Sequence, residues 1–546
     1  MHAHTHQDAW FEVTVVRNSL TSQIPGGVSG VFNKLMPLFF ADGGFCFSRA
    51  GCQVKFPSGK CVTIFCDIAV AIADEAALHH MYSCKGFAGL RCCPLCINVY
   101  NRKYGEAIVT ADRTGSSVYH TEEDIDRCKF ASTDVIAAIC AKLHSQHSVL
   151  GKSKFGELET RLGWNYEPAG ILFNSQFNRM VCPSKILVFD WCHVLFVNGV
   201  FNIHAGNLLA SLKELRIKPE SIGEYVRLWI YPSFIAGKIQ PADVFDEARL
   251  KSSMVAGKLK CSASEGMSCA PVLANYCEAL LKNPNDAVKH HARLFLMLAQ
   301  IIGQIFRSGR KLMNKGLLQA LTRDYIREYK AVYGEESVVP KFHMLAHLPK
   351  FPMDQLPNCF VHERKHKTVK RFANNVFNTS SDWDTSVLRE VTQLHCEQMA
   401  AAPVSKFSET PGLVKPSPPS RRLKQSLLHV LGHEFAAATL MTCRTARVNK
   451  YDHVSVGDLV LIGPVGPPII GRIIYHFSVQ VDELQEHASL VEEYIVSEVH
   501  RRAWKCKLAG KQTLFDLGDI GTPLIHAGTE VITALKPIHA AAYTGL

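Results

Sequence analysis

Cys93-Pro94-Leu95-Cys96 constrains this chain more than any other four residues. A two-residue spacer lets both thiolates reach one tetrahedral metal ion, and such an ion needs two further donors. No second Cys-x-x-Cys lies at finger-like distance, so the fold would have to deliver the other ligands from elsewhere. Cys84, Cys92, His79, His80 and the remote His193 are the candidates. A redox pair of the thioredoxin type would need a βαβ setting that the flanking residues lack. Two buried, unreactive thiols are the plain alternative, and zinc is the reading taken forward.

The residues before this pair read as strands and turns. Trp10–Val16 alternates, and Cys61–Cys66 is a run expected as a buried strand, with Asp67 directly after it. Asp74 follows a second apolar segment, Ile68–Ala73. Ile186–Phe189 repeats the pattern and leads into Asp190-Trp191-Cys192-His193. Acidic side chains just beyond strand ends lie where α/β folds hold ligands.

A helix is expected over Ser132–His147, and residues 194–340 carry helical periodicity, clearest where Leu294, Leu298, Ile301 and Ile305 recur. A further helix is expected across residues 361–376, with Val369, Phe372 and Val376 as its buried stripe. Glu363 stands on it among Arg364, Lys365, Lys367, Lys370 and Arg371. Pro403, Pro411, Pro416, Pro418 and Pro419 mark a linker. Beyond it, β-type runs separated by Gly and Pro turns suggest a small SH3-like barrel.

With 546 residues, 47% of them hydrophobic, the chain can build more than one core. A formal charge of +11 favours an anionic partner such as nucleic acid. Nineteen cysteines without a repeating framework suggest reduced thiols. The opening MHAHTHQDAW lacks a basic segment followed by an apolar one. No run reaches the roughly 18 apolar residues a membrane span requires. The expectation is an intracellular protein away from membranes. His2, His4 and His6 read as a frayed terminus.

Asp74 and Glu363 could together hold Mg²⁺ for phosphodiester chemistry, in which paired ions activate the attacking oxygen and stabilise the leaving one. Each also has a plainer role. Asp74 could cap a helix starting at Glu75, and Glu363 could pair with Lys367 one turn on. The cations around Glu363 could grip DNA phosphates or form a solvated face. No Walker loop, G-x-S-x-G elbow or H-E-x-x-H helix is present.

Four motifs occur in a fixed order. Asp74-Glu75-Ala76-Ala77 is followed by Lys85-Gly86-x-x-Gly89-x-x-x-Cys93-x-x-Cys96. Then come Asp190-x-x-His193, Lys341-x-His343-x-x-x-His347-Leu348, and Glu363-Arg364 with Thr368-Val369-Lys370. In that order they resemble the cut-and-paste DNA transposases of the CACTA superfamily and the related Kyakuja-Dileera-Zisupton group. Ala76 replaces the family's usual Pro. The resemblance covers roughly residues 10–400.

It implies an RNase H-like mixed sheet with a long helical insertion, DNA as partner, and a nuclear location. It also implies Asp74 and Glu363 as catalytic acids holding Mg²⁺ or Mn²⁺, and Arg364, Lys365, Lys367, Lys370 and Arg371 on the DNA backbone. Cys93, Cys96 and His193 would form a zinc site. The family's first catalytic Asp precedes a Trp-containing segment that Trp10 matches, and Asp8 is a poor substitute. The expectation is therefore an inactive nuclease and strand-transfer protein. The alternative is a domesticated DNA-binding or chromatin-associated scaffold.

The expected α/β domains are residues 1–120 as a partial core, 121–340 as the helical insertion, and 341–400 as the return with the Glu363 helix. Residues 401–425 are the linker, and 426–546 a β-rich domain available for chromatin contact or self-association.

Overall fold

The structure is a computed structural model that describes residues 11–41, 46–56, 58–104, 115–233, 235, 241–309, 311–375, 382–401, 411–448, 453–463, 468–482 and 484–536. The side chains of residues 361–364 and 401 lie outside that description, as do His2, His4, His6, Asp8, Trp10, Pro403 and Val376. The chain is mixed α/β and divides into two compact units. The first is Met1–Val200 with Lys311–Ala401; the second is Phe201–Arg310 with Ala402–Leu546. Helix outweighs strand, 50% against 20%, because long strands occur only in the second unit.

The first unit has little sheet. β1 (Cys52–Lys55) and β2 (Cys61–Ile64) form an antiparallel hairpin. β3 (Val99–Tyr100) and β4 (Val118–Tyr119) form a two-residue parallel pair. Ala71 makes one parallel bridge to Leu187. The run Cys61–Cys66, expected to be buried, is largely exposed, with Phe65 at 60%. Its β-branched residues have only one neighbouring strand to pack on. Phe11–Arg17 forms no strand.

Helices form where their signals stand. Ser132 caps Thr133–His147 by accepting from the Val135 N–H. Pro340 opens Pro340–His347 at a position where its missing N–H is harmless. The expected basic helix forms as Phe360–Asn375.

In the second unit, most of the described residues among 201–309 are helical, and Asp286–Ser308 buries the periodic residues Leu294, Leu298, Ile301 and Ile305. They share this unit with an open, curled antiparallel sheet. Its strands are β6 (Thr439–Cys443), β9 (Leu459–Ile462), β10 (Ile469–Val481), β11 (Leu484–Val499), β12 (Ala503–Asp516), β13 (Ile520–Pro523), β14 (His526–Ala527) and β15 (Val531–Leu535). They run in the order β13-β9-β10-β11-β12-β15-β14, with β6 also on β10. A second, three-stranded sheet joins β5 (Gly412–Val414), β7 (Thr445–Arg447) and β8 (His453–Ser455).

β9 is buried on both faces. Leu459 and Leu461 enter a core with Tyr494, Trp504 and Ile532, while Val460 and Ile462 enter another with Ile473, Val491 and Ile520. The two-residue alternation of a strand puts these sets on opposite sides. Bulges in the β10–β11 and β11–β12 pairings bend the long hairpins. Part of the segment expected as a linker is structured: β5, and helix Arg421–Leu431, whose Leu427 packs on Leu440, Phe477 and Leu490.

Among the described residues one run, Trp191–Glu214, meets a length-and-hydropathy test for a membrane span. It is 67% buried and is broken as a helix at residues 197–199, so it reads as core.

Candidate metal centre

The Lys85–Cys96 block is built as a packing unit. Gly86 has φ +49°, and a Cβ there would come within 2.1 Å of the His79 ring. Only glycine satisfies both conditions. The Lys85 N–H donates to the Gly163 carbonyl and the Leu90 N–H to that of Thr160. Lys85 Nζ lies 3.4 Å from Glu159.

The Cys93–Cys96 turn then meets residues 127–131. Cys96 bridges Phe130, the Ile97 N–H donates to the Lys129 carbonyl and the Ala131 N–H to that of Leu95. Asn98 closes the turn by donating to the Arg127 carbonyl at 3.0 Å and accepting from the Lys129 N–H at 2.7 Å.

Opposite the thiols stands helix Pro340–His347. His343 and His347 are one turn apart and share a face. His347 Nε2 is 3.5 Å from Cys93 Sγ, 3.4 Å from Cys96 Sγ and 3.0 Å from His343 Nε2. All four residues are buried, with their donor atoms within 4.8 Å of one another. A tetrahedron with Zn–S near 2.3 Å and Zn–N near 2.0 Å has S–N edges of about 3.5 Å and N–N edges of about 3.3 Å. The two S–N spacings of His347 match such a tetrahedron and the N–N spacing is about 0.3 Å short, so the donor set suits Zn²⁺ with a small adjustment. Phe130 and Phe189 pack edge-on against His347, with ring centroids at 5.2 and 5.5 Å, and form an apolar wall. The outer Nδ1 atoms of both histidines have no hydrogen-bond partner among the described residues, so the usual second-shell acceptors of ligating histidines are missing there.

Electrostatics favour the ligating form of Cys93. Burial opposes its ionisation, but the Cys96 thiol and the two imidazoles outweigh that and hold its pKa well below the usual thiol range. Burial pushes the Cys96 thiol up. Cys128 adjoins the set: its hydrogen bond with Cys96 brings it down to about 5 against opposing burial. It is a third thiol beside a pair of thiols and a pair of imidazoles.

His193 is placed elsewhere. Its Nδ1 is 2.5 Å from Asp190 Oδ2, and the cluster at Cys93 and Cys96 is completed by His343 and His347 instead. Asp190, 2% exposed, also accepts from the backbone N–H groups of Cys192 and Cys359. It thus fastens the segment that enters helix Phe360–Asn375. Asp190, His193 and Cys359 form a second close group of donor types, but both carboxylate oxygens are already engaged. Lys341 ties the histidine helix to this motif by donating to the carbonyls of His193 and Val197, both at 2.9 Å.

The other candidates for completing the site are Cys84, Cys92, His79 and His80. Burial raises the pKa of Cys84 and of Cys92, as suits inert thiols. His79 fills the space beside Gly86, and His80 is exposed. The His343-x-x-x-His347 spacing was the available signal for the true completers, since it presents two imidazoles on one helical face.

Asp74 is exposed and caps helix Glu75–Tyr82, accepting from the Ala77 N–H at 2.7 Å. The carboxylates gathered closely enough to share an ion do not include it among the described residues. Glu363 and Arg364 lie on helix Phe360–Asn375 with side chains outside the description. The described residues therefore assemble no Mg²⁺ site. Lys367, Lys370 and Arg371 are exposed, whereas Lys365 turns inward, 2.8 Å from His395 and 3.7 Å from Glu12. A buried cation held in this way is withdrawn from DNA phosphates.

No family model matches the chain, and no match was found among curated proteins or solved structures.

Proposed function

We propose that this is a transposase-derived, zinc-stabilised DNA-binding protein whose first unit descends from an RNase H-like DDE core. One observation carries the reading. The motifs that resemble CACTA-type transposases are far apart in sequence, yet three of them are joined by direct contacts. Cys93 and Cys96 meet His343 and His347, Lys341 holds the Asp190-x-x-His193 segment, and Asp190 holds the residue that precedes the Glu363 helix. Further support for an RNase H-like sheet comes from the β1–β2 hairpin and the parallel Ala71–Leu187 bridge, with Asp74 and Asp190 each three residues beyond it.

Zinc at Cys93, Cys96, His343 and His347 would supply folding energy, because four protein ligands leave no position for substrate. DNA would lie along the exposed Lys367, Lys370 and Arg371. A non-catalytic role is favoured over cleavage because Asp74 is engaged as a helix cap. In this reading the protein acts in the nucleus, and the curled sheet, an SH3-like barrel left open, is the surface for chromatin or self-association.

DNA binding measured by anisotropy across a salt series tests the reading. The triple variant Lys367→Ala, Lys370→Ala, Arg371→Ala should flatten the log–log salt slope by about 2 to 3, while Glu363→Ala should leave affinity unchanged. Failure to bind duplex DNA at low salt would remove the proposal. Mn²⁺-dependent cleavage abolished by Asp74→Ala would restore the enzyme.

A further inference from the structure

Cys128 stands at the metal centre without a role in it. Register brings it there. Cys96 pairs antiparallel with Phe130, and the Ile97 N–H donates to the Lys129 carbonyl. Residues two apart on an extended segment share a face, so Cys128 and Phe130 stand on the face that carries Cys96. Phe130 packs edge-on against His347. Cys128, 5% exposed, makes hydrogen bonds with the Cys96 thiol and the His343 imidazole. The close set of Cys93, Cys96, His343 and His347 does not include it.

Four donors complete a tetrahedral zinc, and this centre gathers three thiols and two imidazoles. With Cys93, Cys96, His343 and His347 on the ion, the Cys128 sulfur keeps its lone pairs and is held against a ligand sulfur. An oxidisable thiol beside a resolving one has this arrangement. Arg127, Lys129 and Phe130 are exposed, so the segment that carries the thiol lies at the surface. The thiol itself is buried, which admits only an oxidant little larger than water.

We propose that Cys128 is a site of oxidation by hydroperoxides, and that its disulfide with Cys96 releases the zinc. The inference rests on the zinc reading of this centre. The Cys128 sulfur attacks hydrogen peroxide, the O–O bond breaks, and a sulfenic acid and one water result. The Cys96 thiolate then leaves the ion and attacks that sulfur. An S–S bond forms, and the departing hydroxide takes up a proton to give a second water. Two electrons have passed from the pair of sulfurs to the peroxide. Cys93, His343 and His347 remain, one donor short of a closed site.

Treating the zinc-loaded full chain with hydrogen peroxide beside a chromophoric zinc chelator tests this, with disulfides mapped by peptide mass spectrometry. Zinc should be released as a Cys96–Cys128 cross-link forms, and dithiothreitol with added zinc should restore the loaded state. Cys128→Ser and Cys128→Ala should each keep the zinc of the parent chain and slow its release about 10-fold. The proposal is overturned if both variants lose zinc, which would make Cys128 a ligand, if release is as fast without Cys128, or if the product is a Cys93–Cys96 disulfide. A chain purified without zinc would remove the zinc reading, while the pairing is still read from the same map. Oxidised in that state, the chain should join Cys96 to Cys128, and any other pairing among these thiols would overturn the inference.

Discussion

Buried histidines stand in two opposite electrostatic settings, one beside the thiols of the first unit and the other in the second unit and at His120 of the first, where burial lowers the pKa. In the first, burial works to lower the pKa of His343, but the adjoining Cys93 and Cys128 overcome it and push the imidazole up to about 10. In the second, burial dominates. It holds His204 at about 3, with His291 adding to the effect. His476 and His526 are both held at about 4, with Arg472 adding to the burial of His526. Burial alone makes a neutral core histidine, whereas burial beside thiols makes a donor set that a cation can organise. The neighbours decide, and those in the first unit come from remote parts of the chain.

Metal removal should separate the units most sharply. Elemental analysis should find one zinc per chain, lost on Cys96→Ser or His347→Ala. A structural zinc supplies roughly 10–16 kcal/mol of apparent binding free energy. Losing it should therefore cost the first unit several kcal/mol and expose helix Pro340–His347 to hydrogen exchange, with β10–β12 still protected. A chain without zinc, or equal loss of protection in both units, would break the comparison.

The counterpart in the second unit is the Glu278–Arg502 pair, 3.1 Å apart with side chains 16% and 17% exposed. Burial raises the Glu278 pKa and lowers that of Arg502, so desolvation outweighs the attraction for both partners. Glu278→Ala should cost about 3 kcal/mol in chemical denaturation by leaving Arg502 unpaired, while Glu278→Leu with Arg502→Met should cost far less. Equal losses would show the pair to be net stabilising.

Acid should act on the second unit through its neutral histidines. Their folded pKa values lie below the unfolded value of 6.5. The unfolded chain therefore binds more protons, and stability present above pH 6.5 is lost as pH falls toward 4. At pH 5 the loss is about 2 kcal/mol per histidine. His476→Gln should reduce the slope of denaturation free energy against pH between 6.5 and 4.5; an unchanged slope would show that His476 is not buried neutral.

The smallest effect belongs to Asp74. Asp74→Ala removes a helix cap and should cost the first unit about 1 kcal/mol, well short of the loss of a zinc ligand. A much larger loss would point to a second role for that carboxylate.

Much of the local structure was legible. Ser132 announced its helix, Asp74 stood where a cap was expected, and the basic helix around Lys367 formed within a residue of its expected bounds. The Cys93–Cys96 pair was marked as one half of a site, and the motif containing His343 and His347 was visible, but nothing in it said that these imidazoles would meet those thiols. Nor did the pattern Glu363–Arg371 reveal that Lys365 faces inward, because Glu12 and His395, which receive it, lie far away in sequence. The C-terminal β runs were readable as strands, but not their order, which runs from β13 to β14 without closing into a barrel.

The sequence by itself determined what a few neighbouring residues can settle: caps, the two-thiol turn, and the shared face of His343 and His347. Tertiary structure decided which remote groups meet. Bringing Cys93 to His347 closes a loop of about 250 residues, and its entropy cost varies only slowly with length. No local signal therefore selects that partner over His193. Only packing of the histidine helix against the thiol turn, with Phe130 and Phe189 walling it from water, makes the selection.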